Sequence, residues 1–327
     1  MATRGQVFGS SIVAAYLSLA GVAVAQVTRG ADYPDRPVRV VVPYTPGGGT
    51  DLVARMIAQK LTEATAQPFV VDNRPAVDGV VGTEIVAKSQ PDGYTLLLVS
   101  TSHAINAALG RKLPYDTLKD FAPIVHTANQ QLILVVHPSV PAKSVKDLVA
   151  LAKAKPDAFN YGSSSNATAL PTELFKAMTG VQIQHIPYKG SGPMLTDLIG
   201  GQIQMSIAAA ISAIPHVKSG KLRALAIADS KRSTEMPDLP TIAEAGVPGY
   251  QATIWTGMVA PAKTPAAIIE RLNREVVQIV RSTEFRARLI ESGAEAAGST
   301  PAEWGSFLRA EIAKWQKIAR RAGMIGE

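Results

Sequence analysis

The 327-residue chain has no cysteine, which excludes disulfides, thiolate metal sites, cysteine nucleophiles and a lipid-modified cysteine. Aromatic residues make up only 6% and are not interleaved with basic ones, which argues against a stacking platform for nucleic acid. None of the five histidines (His103, His126, His137, His185, His216) pairs with another at i, i+4, so no zinc-type helix motif is present. There is no Gly-Lys-Ser/Thr phosphate loop and no G-x-G-x-x-G spacing, which disfavours nucleotides. One apolar run, 12–25, is too short for a membrane span, and no second run follows.

That run is better read with its flanks. Arg4 supplies a positive start, and Ala23-Val24-Ala25 before Gln26 fits a small-residue cleavage site, so 1–25 is expected to be a signal peptide and the mature chain an exported protein of about 300 residues. Such a length suffices for two domains of ordinary size. The formal charge is +7 and falls to +6 when Arg4, the only charged residue of the segment, is removed. The basic residues are scattered except for a cluster at 314–321, so the charge bears on solubility and on attraction of anions.

Short apolar runs alternate with helical patterns throughout, the signature of α/β layering with mostly parallel sheets. Strands are expected at 38–42, 69–72 and 94–99, with helices at 51–65 and 81–89 between them. The loops that follow these strands, 43–50, 73–80 and 100–106, then share one rim, where ligands of open α/β sheets bind. After a strand at 132–136 a second α/β unit begins, with strands at 159–162, 182–187, 203–208 and 223–228. The remainder beyond 260 is helical and cannot bury its own apolar face, so it is expected to pack back on the first unit. Crossings near 132–137 and 250–255 then form a hinge with a cleft between two lobes.

Two loops carry anion-binding chemistry. Pro46-Gly47-Gly48-Gly49-Thr50-Asp51 joins a strand to a helix, and the free N–H groups of the first helical turn point back into such a turn. Gly162-Ser163-Ser164-Ser165-Asn166-Ala167-Thr168 has the same placement in the second unit and is dense in hydroxyls. Taken alone, the serine loop is equally an ordinary turn, and the glycine loop has a tight strand-to-helix turn without a ligand as its lesser alternative. A serine nucleophile at Ser164 would require an elbow glycine that the loop lacks. His103 lies on the expected rim as either a ligand donor or a structural hydrogen-bonding group. Trp255 reads first as hinge packing and second as pocket wall.

The opening strand with its glycine turn resembles a known family, as do Asn73-Arg74-Pro75, Pro91-Asp92-Gly93-Tyr94 and His185-Ile186-Pro187-Tyr188-Lys189-Gly190. Pro237-Asp238-Leu239-Pro240-Thr241, Glu244-Ala245-Gly246, and Trp255 with Gly257 continue the match in order. The chain is similar to Bug-type receptors, the extracytoplasmic solute-binding proteins of tripartite tricarboxylate transporters. The resemblance implies an α/β Venus-flytrap protein of the periplasm, non-enzymatic and without cofactor or metal, with lobe 1 formed by 36–134 plus 252–327 and lobe 2 by 135–251. It implies a small carboxylate as ligand, delivered to a membrane permease, or in an alternative reading sensed on behalf of a membrane sensor kinase. A monomer with no nucleic-acid partner is expected. The site residues carried over are Tyr44, Pro46, Gly47, Gly48, Gly49, Thr50 and Asp51; Val77, Asp78 and Gly79; Thr101, Ser102 and His103; and Ser163, Ser164, Ser165, Asn166, Ala167 and Thr168. Gln204 joins them, standing where the family often carries an aspartate near the cleft.

Overall fold

The computed structural model describes residues 1, 33–156, 159–291, 293–321 and 325. Apart from Met1, the expected signal segment lies outside the described residues. Among the described residues no helix is long and apolar enough to cross a membrane.

The chain opens with β1 (Val38–Val42), a valine-rich strand, followed by α1 (Gly49–Thr65), β2 (Phe69–Asn73), a single 3₁₀ turn (Val77–Gly79), α2 (Val80–Ala87) and β3 (Thr95–Ser100). β1 lies between β2 and β3, parallel to both. An interior parallel strand is covered on both faces, which a continuous run of valines suits. α1 buries Val53, Ala54, Ile57, Ala58 and Leu61, one stripe at helical spacing.

The next segment departs from the expectation of a loop at 100–106. Ser102–Ala108 forms a short helix, α3, buried along almost its whole length. A long strand follows, β4 (Phe121–Val136), running well ahead of the expected start at 132. Then come α4 (Val145–Ala154), β5 (Asn160–Ser163), α5 (Asn166–Thr179), β6 (Gln184–Pro187), α6 (Ser191–Ile199), β7 (Met205–Ala209), α7 (Ala210–Lys218) and β8 (Arg223–Ile227). The chain returns through β9 (Thr253–Pro261), α8 (Ala266–Arg281), α9 (Thr283–Glu291), a short unforeseen strand β10 (Ala294–Ala296) and α10 (Pro301–Arg321).

β4 is the spine of the molecule. From Phe121 to Gln131 it pairs antiparallel with β9, and β10 lies on its other edge. From Leu132 to Val136 it pairs instead with β7 and β8. One strand thus belongs to two sheet halves, the order being β2-β1-β3-β9-β4 and then β4-β7-β5-β6. The second connection enters β9 at Thr253, just after the Ala252 amide bonds the Ala228 carbonyl. The sheets are mixed rather than mostly parallel, because every pairing made by the connecting strands β4 and β9 is antiparallel.

α10 packs against the first half. Its Trp304, Leu308 and Trp315 are buried with Val41, Leu97, Val99 and Trp255. β9 carries Gly257 at the point of closest approach, where a Cβ would overlap the Trp304 ring. The second half has its own apolar cluster, with Ile133, Val135, Met194, Leu198, Ile203 and Ile227 among its members.

Candidate functional site

The carboxyl ends of five strands converge. Tyr44 follows β1, Ser100 ends β3, Ser164 follows β5, Gly190 follows β6 and Ala209 ends β7, and all five line one cavity. Such edges are where ligands of α/β sheets bind, because the chain turns there and exposes helix starts. Helices α1, α5, α6 and α7 each begin at this cavity, which Gly48, Gly49, Thr50, Ser165, Ala167, Thr168 and Ser191 also line.

Three of these helix starts, α1, α6 and α7, are uncapped. They follow Gly48, Gly190 and Ala209, none of which supplies a side-chain hydrogen bond to the first turn. Unsatisfied N–H groups and the positive end of the helix dipole make each a seat for an anion. Among the described residues, no charged side chain lines the cavity. A guest is met by backbone amides, hydroxyls and a single amide side chain, that of Gln130.

The glycines are needed for this approach. Gly47 has φ +80°, and a Cβ on Gly49 would come within 2.7 Å of Ile211 Cγ2 and overlap Gln130. Asp51 holds the turn in place, although it does not line the cavity. Its carboxylate accepts from the Gly47 amide at 2.9 Å, Arg55 Nε at 2.9 Å and Asn73 Nδ2 at 2.9 Å. Burial alone would raise its pKa, but these hydrogen bonds outweigh burial and hold it below the usual aspartate value. Tyr44 is fixed by a 2.7 Å hydrogen bond with Ser100.

The serine loop is divided between two tasks. Ser165 and Thr168 form a reciprocal capping box at the start of α5. The Asn166 amide donates to Asp78 Oδ1 at 2.8 Å, Asn166 Nδ2 to Asn106 Oδ1 at 3.0 Å, and the Ala167 amide to Ser102 Oγ at 3.1 Å. Asp78, Asn106 and Ser102 come from the first half of the chain. Asp78 also pairs with Arg111 at 2.6 Å, and its backbone is left-handed, with φ 55°. These residues fasten the two sheet halves together beside the cavity, and the start of α5 is occupied by the protein's own carboxylate.

The expected site residues therefore separate. Tyr44, Gly48, Gly49, Thr50, Ser164, Ser165, Ala167 and Thr168 line the cavity. Asp78, Ser102 and Asn166 lie in the fastening between halves, and Gly79 packs on Pro43 and Tyr44. Pro46, Gly47 and Val77 are exposed. Thr101 ties the end of β3 to Trp255 through a 2.9 Å bond from the Trp255 amide, and Ser163 Oγ bonds His185 Nε2 at 2.6 Å.

Two assignments need correcting. His103 is not a rim donor, since it packs between Tyr115 and Phe121 with ring centroids 6.2 and 5.2 Å away. Burial, opposed only by the Thr117 backbone, pushes its pKa down to about 4. Gln204 stands at the opposite end of β7 from Ala209, about 16 Å away along extended chain, and its Oε1 accepts from the Asn160 amide at 2.8 Å. Conversely, Ser100, Gln130, Gly190, Ser191, Ala209 and Ile254 line the cavity without having been assigned to it. Gly190-Ser191 repeats the strand, glycine and helix pattern of the first loop and could have been found by it. Gln130 carries no local signal.

Side-chain alternation along the hinge strands creates two different faces. Gln130 and Ile254 face the cavity, whereas Asn129, Gln131, Thr253 and Trp255 face a wider cleft of about 470 Å³. That cleft mixes charges of both signs, with Asp229, Lys231, Arg232, Glu295 and Lys314 in its walls.

Residues 53–324 match the family model of the tripartite tricarboxylate transporter family receptor. The chain belongs to this receptor family. BugT of Bordetella pertussis (strain Tohama I) is 39% identical to this receptor, the match covering 96% of this chain and 97% of BugT. Among solved structures, R. palustris Rpa4515 with adipate is 41% identical with a TM-score of 0.87, covering 89% of this chain and 98% of that one. MatC from Rhodopseudomonas palustris with bound malate is 31% identical with a TM-score of 0.83, covering 88% and 99%. The receptor thus has the two-lobed fold of periplasmic solute-binding proteins, and it is a periplasmic protein of the solute-binding type.

Proposed function

We propose that the receptor captures a small organic carboxylate in this cavity and hands it to a tripartite tricarboxylate transporter permease. The observation that carries the reading is the convergence of three uncapped helix starts on a polar cavity with no charged wall. A carboxylate supplies the missing acceptors. Each helix start contributes about 0.3–1 kcal/mol to holding an anion, more when water is excluded, and each hydrogen bond to the charged group adds about 1.5–3 kcal/mol. The adipate and malate bound by two relatives have the same chemistry.

In the structure the cavity leaves about 30 Å³ open to water-sized groups, about the room two waters need. An acid of several carbons therefore enters only when the halves part. We place the lobes at 36–134 plus 252–327 and at 135–251, with the signal peptide 1–25 removed on export and the receptor working as a monomer. Residues of both lobes contact the guest, so binding shifts the population toward the closed form.

A thermal-shift panel of mono-, di- and aromatic carboxylates tests the ligand class. A bound acid at 100 times its dissociation constant stabilises the fold by about 2.7 kcal/mol. Shifts with sugars or metal ions and none with any acid would refute it.

A further inference from the structure

Among the described residues that line the cavity, Gln130 is the one whose buried side-chain polar atoms lack a partner. It lies on β4, opposite Ile254 and one residue before the pairing of Gln131 ends the run with β9. It is 1% exposed, and neither Nε2 nor Oε1 has a hydrogen-bond partner. The side chain rests on Gly49, the first residue of α1, and so sits beside the helix start that receives the anion.

An unpaired buried donor or acceptor costs about 1–3 kcal/mol, so an amide with both ends unpaired is poor core packing. A methionine or leucine would fill the same space without that cost. The arrangement makes physical sense when the guest supplies the partners. A carboxylate satisfies only Nε2 and turns its lone pairs toward those of Oε1. A hydroxyl satisfies both ends, accepting from Nε2 and donating to Oε1, and rotation of the amide by half a turn leaves that match intact.

We propose that Gln130 is a specificity-determining residue that selects acids bearing a hydroxyl on the carbon chain over the corresponding unsubstituted acids. This rests on the carboxylate reading above and narrows it. The helix starts hold the carboxylate, and Gln130 reads the substituent. Sites that hydrogen-bond a ligand hydroxyl discriminate strongly against its absence, because the buried polar group is then left unpaired.

The test is a calorimetric comparison of matched pairs: lactate with propionate, malate with succinate, and mandelate with phenylacetate. In the unaltered receptor the hydroxy acid of the pair that fits binds at least tenfold more tightly than its partner. In Gln130→Met and Gln130→Leu the ratio falls to within threefold, chiefly through weaker binding of the hydroxy acid, with melting of the unliganded variants reporting the fold. A ratio near one in the unaltered receptor overturns the proposal whatever the variants do, as does a preference that survives both substitutions. Absence of binding by every acid, as opposed to binding without preference, overturns the carboxylate reading itself.

Discussion

At the scale of single residues, the two most buried histidines act on stability rather than on the ligand. His103 lies between aromatic rings, and His126 stacks on Trp304 and Phe307 with centroids 5.1 and 4.8 Å away. Burial lowers both pKa values to about 4, for His126 against the acceptors of Ala128 and Asn129, which favour the protonated ring and oppose the shift. The unfolded chain, with histidines near 6.5, binds more protons than the folded one between pH 4 and 6.5. The stability they contribute is complete above pH 6.5 and is lost as pH falls toward 4, at about 1.4 kcal/mol per pH unit for each. His103→Leu is expected to flatten this acid limb by one histidine's share while leaving carboxylate affinity within twofold, since the ring lies outside the cavity. Urea midpoints between pH 4.5 and 7, with calorimetry at pH 7, check both halves of the statement.

At the scale of elements, one buried carboxylate adds a polar tie between α10 and β9 to their apolar packing. Glu311, 6% exposed, accepts from Trp255 Nε1 at 2.7 Å, Trp315 Nε1 at 3.0 Å and Lys314 Nζ at 2.6 Å. Trp255 belongs to the hinge strand β9, so the tail helix braces the hinge. Glu311→Ala leaves two indole donors unpaired and is expected to cost about 2–4 kcal/mol, read as a lower denaturation midpoint. Element patterns were largely legible in the sequence. The valine run of β1 and the capping box at 300–303 each signal their own structure locally, and the Thr300 amide donates to Glu303 as that motif requires. The beginning of β4 was not legible, because Pro123 and two register shifts interrupt its pattern and its pairing partners lie more than a hundred residues away. α3 was hidden because Ser102, His103 and Asn106 read as loop, while burial against α10 and α5 makes them helical.

At the scale of the whole molecule, the proposed closure would rest on a small set of contacts between the halves. Across the halves Asp78 accepts from the Asn166 amide at 2.8 Å, while Arg111 at 2.6 Å and Asn106 Nδ2, which donates to the Asp78 carbonyl at 2.9 Å, hold Asp78 in place from its own half. Charge-assisted bonds of this kind contribute about 1.5–3 kcal/mol each. Asp78→Ala is expected to favour the open form, weaken carboxylate binding by about tenfold or more, and enlarge the radius of gyration in solution scattering. An unchanged radius with unchanged affinity would show that the fastening does not govern closure.

The sequence by itself determined the class of fold, the strand-to-helix turns and the family, because glycine spacing, strand composition and capping motifs act over a few residues. It could not divide the serine loop between cavity and fastening, since what stands opposite Ser164 and Asn166 is set by chain far away in sequence. It also could not tell that His103 turns into an aromatic cluster, that Gln204 lies at the far end of β7, or that Gln130 faces the cavity while Asn129 and Gln131 face away. Those facts follow from register and from which halves of the chain meet. They are decided by packing between residues distant in sequence, and only the tertiary structure contains it.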